Sequence, residues 1–275
     1  MNPPNIKLYK PAKDSHKGQN GKLLVIGGSK LFHSSIFWSA DVASRIVDLV
    51  HLTSPANENN QIFRKRLKEK FWNGIVTDWK DVEEYIKEDD CVLIGPGMTR
   101  GDGKTKKIVN YLLKKYPDKK WAIDGGALQE VDLDLITKSC ILTPHKKEFE
   151  GLLKRSHLGF AQGETLSETC IKLTKELKNC TVILKGEMDI VCSGEKCMQI
   201  SGGNAGMTKG GTGDVLAGLV AALYCKNDAW TTAAMASYIN KKAGDNLYKR
   251  VGPYFNAEDL VKEAPLTLYG IMIAN

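Results

Sequence analysis

The sequence predicts an α/β fold, a three-layer α/β/α sandwich around a mostly parallel central sheet. Short apolar runs that end in glycine, proline or a charged turn alternate with longer amphipathic segments along the 275 residues. The runs are apolar nearly throughout, which is typical of parallel strands covered by helices on both faces. No repeat, low-complexity stretch or linker interrupts this alternation, so we expect one domain over residues 1–275.

Each element follows from the spacing of its apolar residues. Strands are predicted where a short apolar run meets a turn, at residues 22–29, 49–55, 74–79, 91–97, 121–128, the start of 140–153, 181–186 and 189–194. Helices are predicted where apolar residues recur at helical spacing, over 34–50, 104–116, the end of 140–153, 165–178 and from Thr212 to about Tyr248. Ser167 is the expected N-cap of the helix over 165–178.

The turns that follow the strands are expected to lie together. They read GGS, GPG, DGG, TPH and KGE, and all are built from glycine, proline or charged residues. Ligands of open parallel sheets bind at the carboxyl ends of the strands. These turns are therefore predicted to form one ligand-binding rim.

Composition excludes several classes of function. Lys and Arg number 39 against 32 Asp and Glu, a net charge of +7, but the basic residues lie in amphipathic stretches such as KKIVNYLLKKYPDKK. That pattern indicates solvated helix faces and no nucleic-acid partner. No apolar run approaches the ~20 residues of a membrane span, and the N-terminus lacks a signal-peptide core. The seven cysteines include no C-x-x-C pair, so we expect core thiols, no zinc site and a cytoplasmic protein.

The stretch GGTGD, residues 210–214, is the strongest chemical signal. Its glycines run into a strongly apolar segment that is predicted to be a buried helix. Loop amides and a helix N-terminus together form an anion site suited to phosphate. A carboxylate repels phosphate, but it can take a proton from a hydroxyl that attacks a phosphoryl group. Asp214 is therefore predicted to be a general base; the alternative is that it only caps the helix.

Three further candidates stand at the predicted strand ends, each with an ordinary alternative. Asp124 could hold magnesium, orient a ligand or cap a helix. His145, after Pro144, could face a ligand or lie at the surface near a helix cap. Lys185 could meet a nucleotide or be a solvated hairpin lysine. The residues alone leave these alternatives open.

Several motifs in order resemble the ADP/ATP-dependent NAD(P)H-hydrate dehydratases, repair enzymes with a ribokinase-like fold. The motifs are HKGQNGKLLVIGGS, VLIGPG, AIDGGAL, ILTPHKKEF, VILKG, GNAGM and GGTGDVLAG, and the resemblance covers roughly residues 16–245. It implies that ADP or ATP phosphorylates the hydroxyl of NAD(P)H hydrate (NAD(P)HX), after which phosphate leaves and NAD(P)H is restored. It also implies a homo-oligomer, and magnesium is expected from phosphoryl chemistry.

The resemblance also assigns site residues. Asp214 would be the base that contacts the hydrate. The nucleotide would be bound by Lys185, Gly186, Glu187, Met188, Asp189, Asn204, Ala205, Gly206, Gly211, Thr212 and Gly213. The substrate would be bound by Ser34 or Ser35, Gly97, Asp124, His145 and Asp214. No residue is assigned as a metal ligand.

The chain departs from the family pattern in three places. The loop after GGS reads KLFHSS, DGGAL lacks a second acid, and Lys209 adds a positive charge that either aids nucleotide binding or indicates a changed substrate. These departures leave two alternatives: a ribokinase-like small-molecule kinase that phosphorylates a vitamin precursor or sugar-like alcohol, and a non-catalytic nucleotide-binding protein. The length leaves no room for the epimerase domain often fused in this family, so an NAD(P)HX epimerase is expected on a separate chain.

Overall fold

A nine-stranded sheet runs through the part of the chain that this computed structural model describes, residues 4–69, 73–101, 103–159 and 161–274. The strands are β1 (Lys22–Ile26), β2 (Leu49–Thr53), β3 (Ile75–Val76), β4 (Cys91–Ile94), β5 (Lys120–Ile123), β6 (Cys140–Leu142), β7 (Thr181–Leu184), β8 (Asp189–Ser193) and β9 (Lys196–Ile200). Their order across the sheet is β3-β2-β1-β4-β5-β6-β7-β8-β9. Strands β1 to β7 are parallel, and β8 and β9 extend the sheet in antiparallel pairing.

Helices cover both faces of the sheet. They are α1 (Ser34–Ala43), α2 (Asn57–Glu69), α3 (Val82–Glu88), α4 (Lys104–Lys115), α5 (Gly125–Glu130), α6 (Lys146–Arg155), α7 (Leu166–Glu176), α8 (Thr212–Tyr224), α9 (Ala229–Val251) and α10 (Ala257–Ala274). Strand residues alternate between two cores: Leu23 and Val25 pack with α1, α8, α9 and α10, whereas Leu24 and Ile26 pack with α3, α4, α5, α6 and α7. The predicted α/β/α sandwich with a mostly parallel sheet is confirmed.

Helix α8 lies in the middle of one layer and is buried along most of its length. It packs so closely on α1 that any side chain at position 218, which is glycine, would overlap the backbone of Ser39. The Ser39 hydroxyl donates to the backbone oxygen of Asp214 across 2.7 Å. This contact fixes the start of α8 against α1, which lies at the same end of the sheet as the turns after β1 and β4.

Some predicted boundaries were wrong. The helix over 34–50 ends at Ala43, and the N-cap of α7 is Thr165, whose side chain accepts from the Glu168 amide in a capping box. Ser167 lies inside that helix. The strand predicted over 121–128 ends at Ile123, and the helix predicted from Thr212 to about Tyr248 is divided into α8 and α9. The sequence analysis did not predict α2, α3, α5, β9 or α10.

The expectation of core thiols holds for five cysteines and fails for two. Cys91, Cys140, Cys170, Cys180 and Cys225 are buried and free. Cys192 and Cys197 are cross-strand partners in the β8–β9 hairpin and form a disulfide. Across the described residues, no helix combines the length and apolar content that a bilayer crossing requires.

Candidate active site

The turns after β1 and β4 meet at the point where the strand order reverses direction, which is where open parallel sheets bind ligands. The Gly28 amide donates to the Pro96 carbonyl across 2.7 Å. Gly97 has φ +71°, and a side chain there would overlap the Phe32 carbonyl and press on Ser35. Because Gly97 has no side chain, the turn after β4 lies against the start of α1. Predicted substrate residues, Gly97 and Ser35, stand on the two sides of this join.

Asp214 lies in the first turn of α8 and is not its cap. The N-cap position is Gly211, with φ +96°, and the helix begins at Thr212. Burial raises the pKa of the Asp214 carboxyl, with the negative charge of Asp124 adding to the effect, from its ordinary value of 3.8 to about 7. A hydrogen bond with Ser35 and the charge of Lys185 act in the opposite direction. A carboxylate with a pKa near 7 can exchange a proton at neutral pH.

Lys185 is held beside Asp214 by a second carboxylate. Its ammonium lies 3.0 Å from Asp124 Oδ1, which also accepts from the Thr143 hydroxyl across 2.6 Å. Burial lowers the pKa of Lys185, but nearby carboxylates, Asp124 foremost, outweigh it and raise the pKa overall. A Cβ placed on Gly213 would be 3.7 Å from the same ammonium. The positive charge of Lys185 therefore lies at the N-terminus of α8.

A cavity of about 570 Å³ opens beside Lys185 and Gly213, whereas Asp214, Asp124, Gly97 and His145 are not among its lining residues. Predicted nucleotide-binding residues that line it are Lys185, Gly186, Glu187, Asp189, Asn204, Ala205, Thr212 and Gly213. Residues that line it and were not predicted are Gly202, Gly203, Met207, Thr208, Leu216, Asn240 and Lys241. The sequence feature that could have pointed to Asn240 and Lys241 is this polar pair within the buried helix α9.

Lys241 and Asp189 hold the walls of this cavity in place. The Lys241 ammonium donates to the carbonyls of Gly186, Glu187 and Gly202 at 2.9, 3.0 and 3.0 Å and lies 3.2 Å from Asp189 Oδ1. Asp189 also accepts from the Gly186 amide and the Ser237 hydroxyl. The Asp189 carboxylate is therefore fixed by protein donors while it borders the cavity.

Three predicted nucleotide-binding residues lie outside the described lining of this cavity. Gly206 packs against the ring of Phe255, which a side chain would overlap. A Cβ on Gly211 would come within 2.6 Å of the Trp38 ring. Met188 is exposed and borders a second cavity on the other side of the loop that follows β7. For these residues, a nucleotide contact stays a prediction.

His145 is adjacent to the site and caps a helix. Its Nδ1 accepts from the Glu148 amide at the start of α6, and the Glu148 carboxylate accepts from the His145 amide. The Lys185 amide donates to the Pro144 carbonyl across 2.8 Å, which places the His145 and Lys185 backbones side by side. The imidazole is half exposed. Ser34 is the first residue of α1, next to Ser35.

Lys209 has protein partners that the sequence did not indicate. Its ammonium donates to the carbonyls of Pro253 and Phe255 and lies 5.4 Å from the centre of the Phe255 ring. Lys209 therefore ties the loop before α8 to the segment between α9 and α10. These partners explain a lysine at this position without any contact to phosphate.

Fold and site together define a ribokinase-like α/β protein with an acid at the start of a glycine-preceded helix. Solved structures share this fold. A ribokinase-like superfamily protein from Enterococcus faecalis superposes with a TM-score of 0.81 at 23% identity, over 96% of this chain and 92% of that one. The ADP/ATP-dependent NAD(P)H-hydrate dehydratase from Bacillus subtilis, co-crystallized with ATP/Mg2+, superposes with a TM-score of 0.78 at 20% identity, over 97% and 95%.

Sequence similarity gives the family. The family model described as NAD(P)H-hydrate dehydratase matches residues 23–266, so the chain belongs to this family. It is 35% identical over 268 residues to the bifunctional NAD(P)H-hydrate repair enzyme Nnr of Methanocaldococcus jannaschii, covering 95% of this chain and 50% of that relative. It is 32% identical over 276 residues to the ADP-dependent (S)-NAD(P)H-hydrate dehydratase of Nitrosopumilus maritimus, over 94% and 92%. The chain thus spans about half the length of the bifunctional relative.

Proposed function

We propose that this chain catalyses the ADP- or ATP-dependent dehydration of NAD(P)HX to NAD(P)H. The observation that carries the proposal is the Asp214 carboxyl, with a pKa of about 7, in the first turn of α8 directly after Gly213, which lines the 570 Å³ cavity. Family membership and the name of the N. maritimus relative, which this chain matches over nearly its whole length, support the choice of reaction.

Asp214 acts in the first step. The hydroxyl oxygen of the hydrate attacks the terminal phosphorus of the nucleotide, a new P–O bond forms, and the bond to the nucleotide oxygen breaks. Asp214 accepts the hydroxyl proton, for which a pKa near the working pH is well matched. In the second step the C–O bond breaks with its electron pair leaving on phosphate. Loss of a proton from the neighbouring ring carbon then restores the double bond.

The nucleotide phosphates would lie at the N-terminus of α8. The Gly213 amide in the first turn of that helix is suited to an anion, and the Lys185 ammonium adds a positive charge. Asp124 binds Lys185 and raises the pKa of Asp214 through its charge, so it acts as a positioning residue as well as a substrate contact. The hydrate would enter at the join between Gly97 and Ser35 and would also contact His145.

Magnesium fits this arrangement as a companion of the phosphates. Among the described residues no group of three or more His, Cys, Asp and Glu side chains could hold a metal. Mg²⁺ commonly takes one or two carboxylates together with substrate phosphates and water, so a protein cage is not required. Asp124 is the carboxylate that would supply an oxygen, and the ion would neutralise charge on the transferring phosphoryl group.

The test is recovery of NADH from its hydrate. The protein is incubated with hydrated NADH and either ADP or ATP, and the absorbance of reduced nicotinamide is followed, with omission of nucleotide as the control. Nucleotide-dependent recovery supports the proposal. Phosphate transfer to another alcohol without NADH recovery would assign a small-molecule kinase instead, and nucleotide binding without turnover would assign a non-catalytic protein.

Three further expectations depend on this function and stay predictions. These are a homo-oligomeric assembly, an NAD(P)HX epimerase on a separate chain, and a cytoplasmic location. The choice between ADP and ATP is read from the same assay, by comparing recovery with each nucleotide.

A further inference from the structure

The side-chain hydroxyl of Thr143 bonds one carboxylate of the candidate active site. Thr143 directly follows β6, is 1% exposed, and donates its hydroxyl proton to Asp124 Oδ1 across 2.6 Å. The other acceptor within reach, the Ile123 carbonyl, is 3.5 Å away, and a hydroxyl has one proton to donate. The proton therefore belongs to the bond with Asp124. Short hydrogen bonds to a charged group are among the stronger ones in proteins.

Asp124 Oδ1 receives a second donor from the next strand. The Lys185 ammonium lies 3.0 Å from the same oxygen, and Lys185 directly follows β7 as Thr143 follows β6. The other carboxylate oxygen, Oδ2, accepts from none of the residues that the structure describes. The two donors thus determine which oxygen faces Lys185, and they leave Oδ2 as the oxygen that remains for a ligand.

Asp124 lacks the bond that its place in the chain would ordinarily give it. It occupies the N-cap position of α5, where an Asp side chain commonly accepts from a backbone amide of the first turn. In this protein the Asp124 side chain makes no capping hydrogen bond. Thr143 and Lys185 therefore hold the carboxylate away from the helix that it could cap.

Thr143 presents its hydroxyl from a fixed backbone. Its amide donates to the Ile123 carbonyl across 3.3 Å, which continues the pairing of β5 with β6. The next residue is Pro144, whose ring fixes φ, and its carbonyl accepts from the Lys185 amide across 2.8 Å. The Thr143 backbone is therefore held on both sides, between the strands that end at Asp124 and Lys185.

We propose that Thr143 is a positioning residue for the reaction, because its hydroxyl holds the Asp124 carboxylate on Lys185 and away from the start of α5. This inference rests on the proposed function, in which Lys185 lies beside the nucleotide phosphates and Asp124 acts on Asp214. Without the hydroxyl, the carboxylate is free to turn and cap α5. The Lys185 ammonium then loses its closest carboxylate, and the charges around Asp214 are no longer fixed.

The test replaces Thr143 with valine, which keeps the shape and removes the hydroxyl, and with serine, which keeps the hydroxyl. In the NADH-recovery assay we expect kcat of Thr143→Val to fall by about tenfold or more, the effect of one hydrogen bond to a charged group. Thr143→Ser should retain kcat within about threefold of the wild-type value. ADP affinity, measured by calorimetry, should change by less than about threefold in both variants, because the loss falls on turnover and not on binding.

Thr53→Val is the matched control. Thr53 is the last residue of β2, is fully buried, and donates its hydroxyl to the Thr77 carbonyl across 3.1 Å. The change is the same, at the end of another parallel strand, and it leaves Asp124 untouched. Both valine variants should melt at a lower temperature than the wild-type protein, whereas Thr53→Val should keep its kcat. An equal fall of kcat in both would assign Thr143 a general stabilising role and overturn the inference.

A double-mutant cycle shows whether Thr143 acts through Asp124. In Asp124→Asn the side chain is neutral, so the bond from Thr143 no longer has a charged partner. Adding Thr143→Val to Asp124→Asn should lower kcat by less than about threefold, against about tenfold in the wild-type background. The same loss in both backgrounds overturns the inference, and so does a wild-type kcat in Thr143→Val.

Failure of the proposed function is recognised separately. If the wild-type protein recovers no NADH with either nucleotide, the proposed function fails, and the role given to Thr143 fails with it. If the wild-type protein recovers NADH and Thr143→Val does so equally well, only the role of Thr143 is lost. A fall of kcat in Thr143→Val, with retention in Thr143→Ser and Thr53→Val, is the result that supports the inference.

Discussion

Replacing Asp214 with asparagine should inactivate the protein while stabilising it at alkaline pH. The carboxyl has a pKa of about 7 in the folded protein and an ordinary value of 3.8. Between these values the folded protein keeps a proton that the unfolded chain has released. The free energy of unfolding therefore falls as pH rises from 3.8 to about 7, and the full destabilisation by the ionised carboxyl is present above pH 7. Asparagine has the same shape and carries no such cost.

The size of this effect follows from the two pKa values. Each pH unit between them contributes about 1.4 kcal/mol, which sets an upper limit of ~4 kcal/mol at pH 8. Partial solvent access to the carboxyl brings the expected gain below that limit. Near pH 4 the carboxyl is protonated in the folded protein, so the wild-type protein and Asp214→Asn should differ little in their free energy of unfolding.

Denaturant unfolding of the wild-type protein and Asp214→Asn at pH 5 and pH 8 measures the difference. The stability gain of the variant should be larger at pH 8, while turnover falls by ~10²–10⁴-fold, as expected for loss of a general base. Nucleotide binding, measured on the same samples, should persist. A stability difference that is identical at both pH values would refute the raised pKa, and unchanged turnover would remove Asp214 from the mechanism.

Two other predictions concern the charges and the glycines around Asp214. Asp124→Asn removes a negative charge that raises the pKa of Asp214, so the rise of activity with pH should move to lower pH; a pH–rate profile that keeps its position contradicts this coupling. Gly211→Ala should cost more than ~2 kcal/mol in denaturant unfolding, because φ is +96° and a Cβ would lie 2.6 Å from the Trp38 ring. Gly210→Ala is the matched control: nothing lies within 4 Å of a Cβ there, and comparable destabilisation by both changes would refute the packing role of Gly211.

The sheet was predictable because its strands are local apolar runs. Residues such as those of β4 are buried on both faces, so a continuous run such as CVLI carries the signal by itself. The edge strand β9 reads KCMQI and is largely exposed, so its extended backbone depends on pairing with β8. Helix α10 contains Pro265, which weakens the helical signal, and it packs against α9 and α1.

The site was predictable where its chemistry lies in one stretch of chain. GGTGD gave the helix start and its acid directly. The pairing of Lys185 with Asp124 joins residues 61 positions apart, and only the parallel order of β5, β6 and β7 brings them together. The sequence likewise gave the charge of Lys209 but not its partners, which lie more than 40 positions away. Asn240 appeared only as a polar residue in a buried helix, because the cavity exists only in the folded chain.

The most direct test is the titration of Asp214 itself. Difference infrared spectra between the wild-type protein and Asp214→Asn, recorded across pH 3 to 9, isolate the carboxyl band of this one residue. We expect the band of the protonated carboxyl to disappear with a midpoint near pH 7, in step with the rise of activity. A midpoint near the ordinary value of 3.8 would contradict it, because Asp214 would then carry no environment suited to a base at neutral pH.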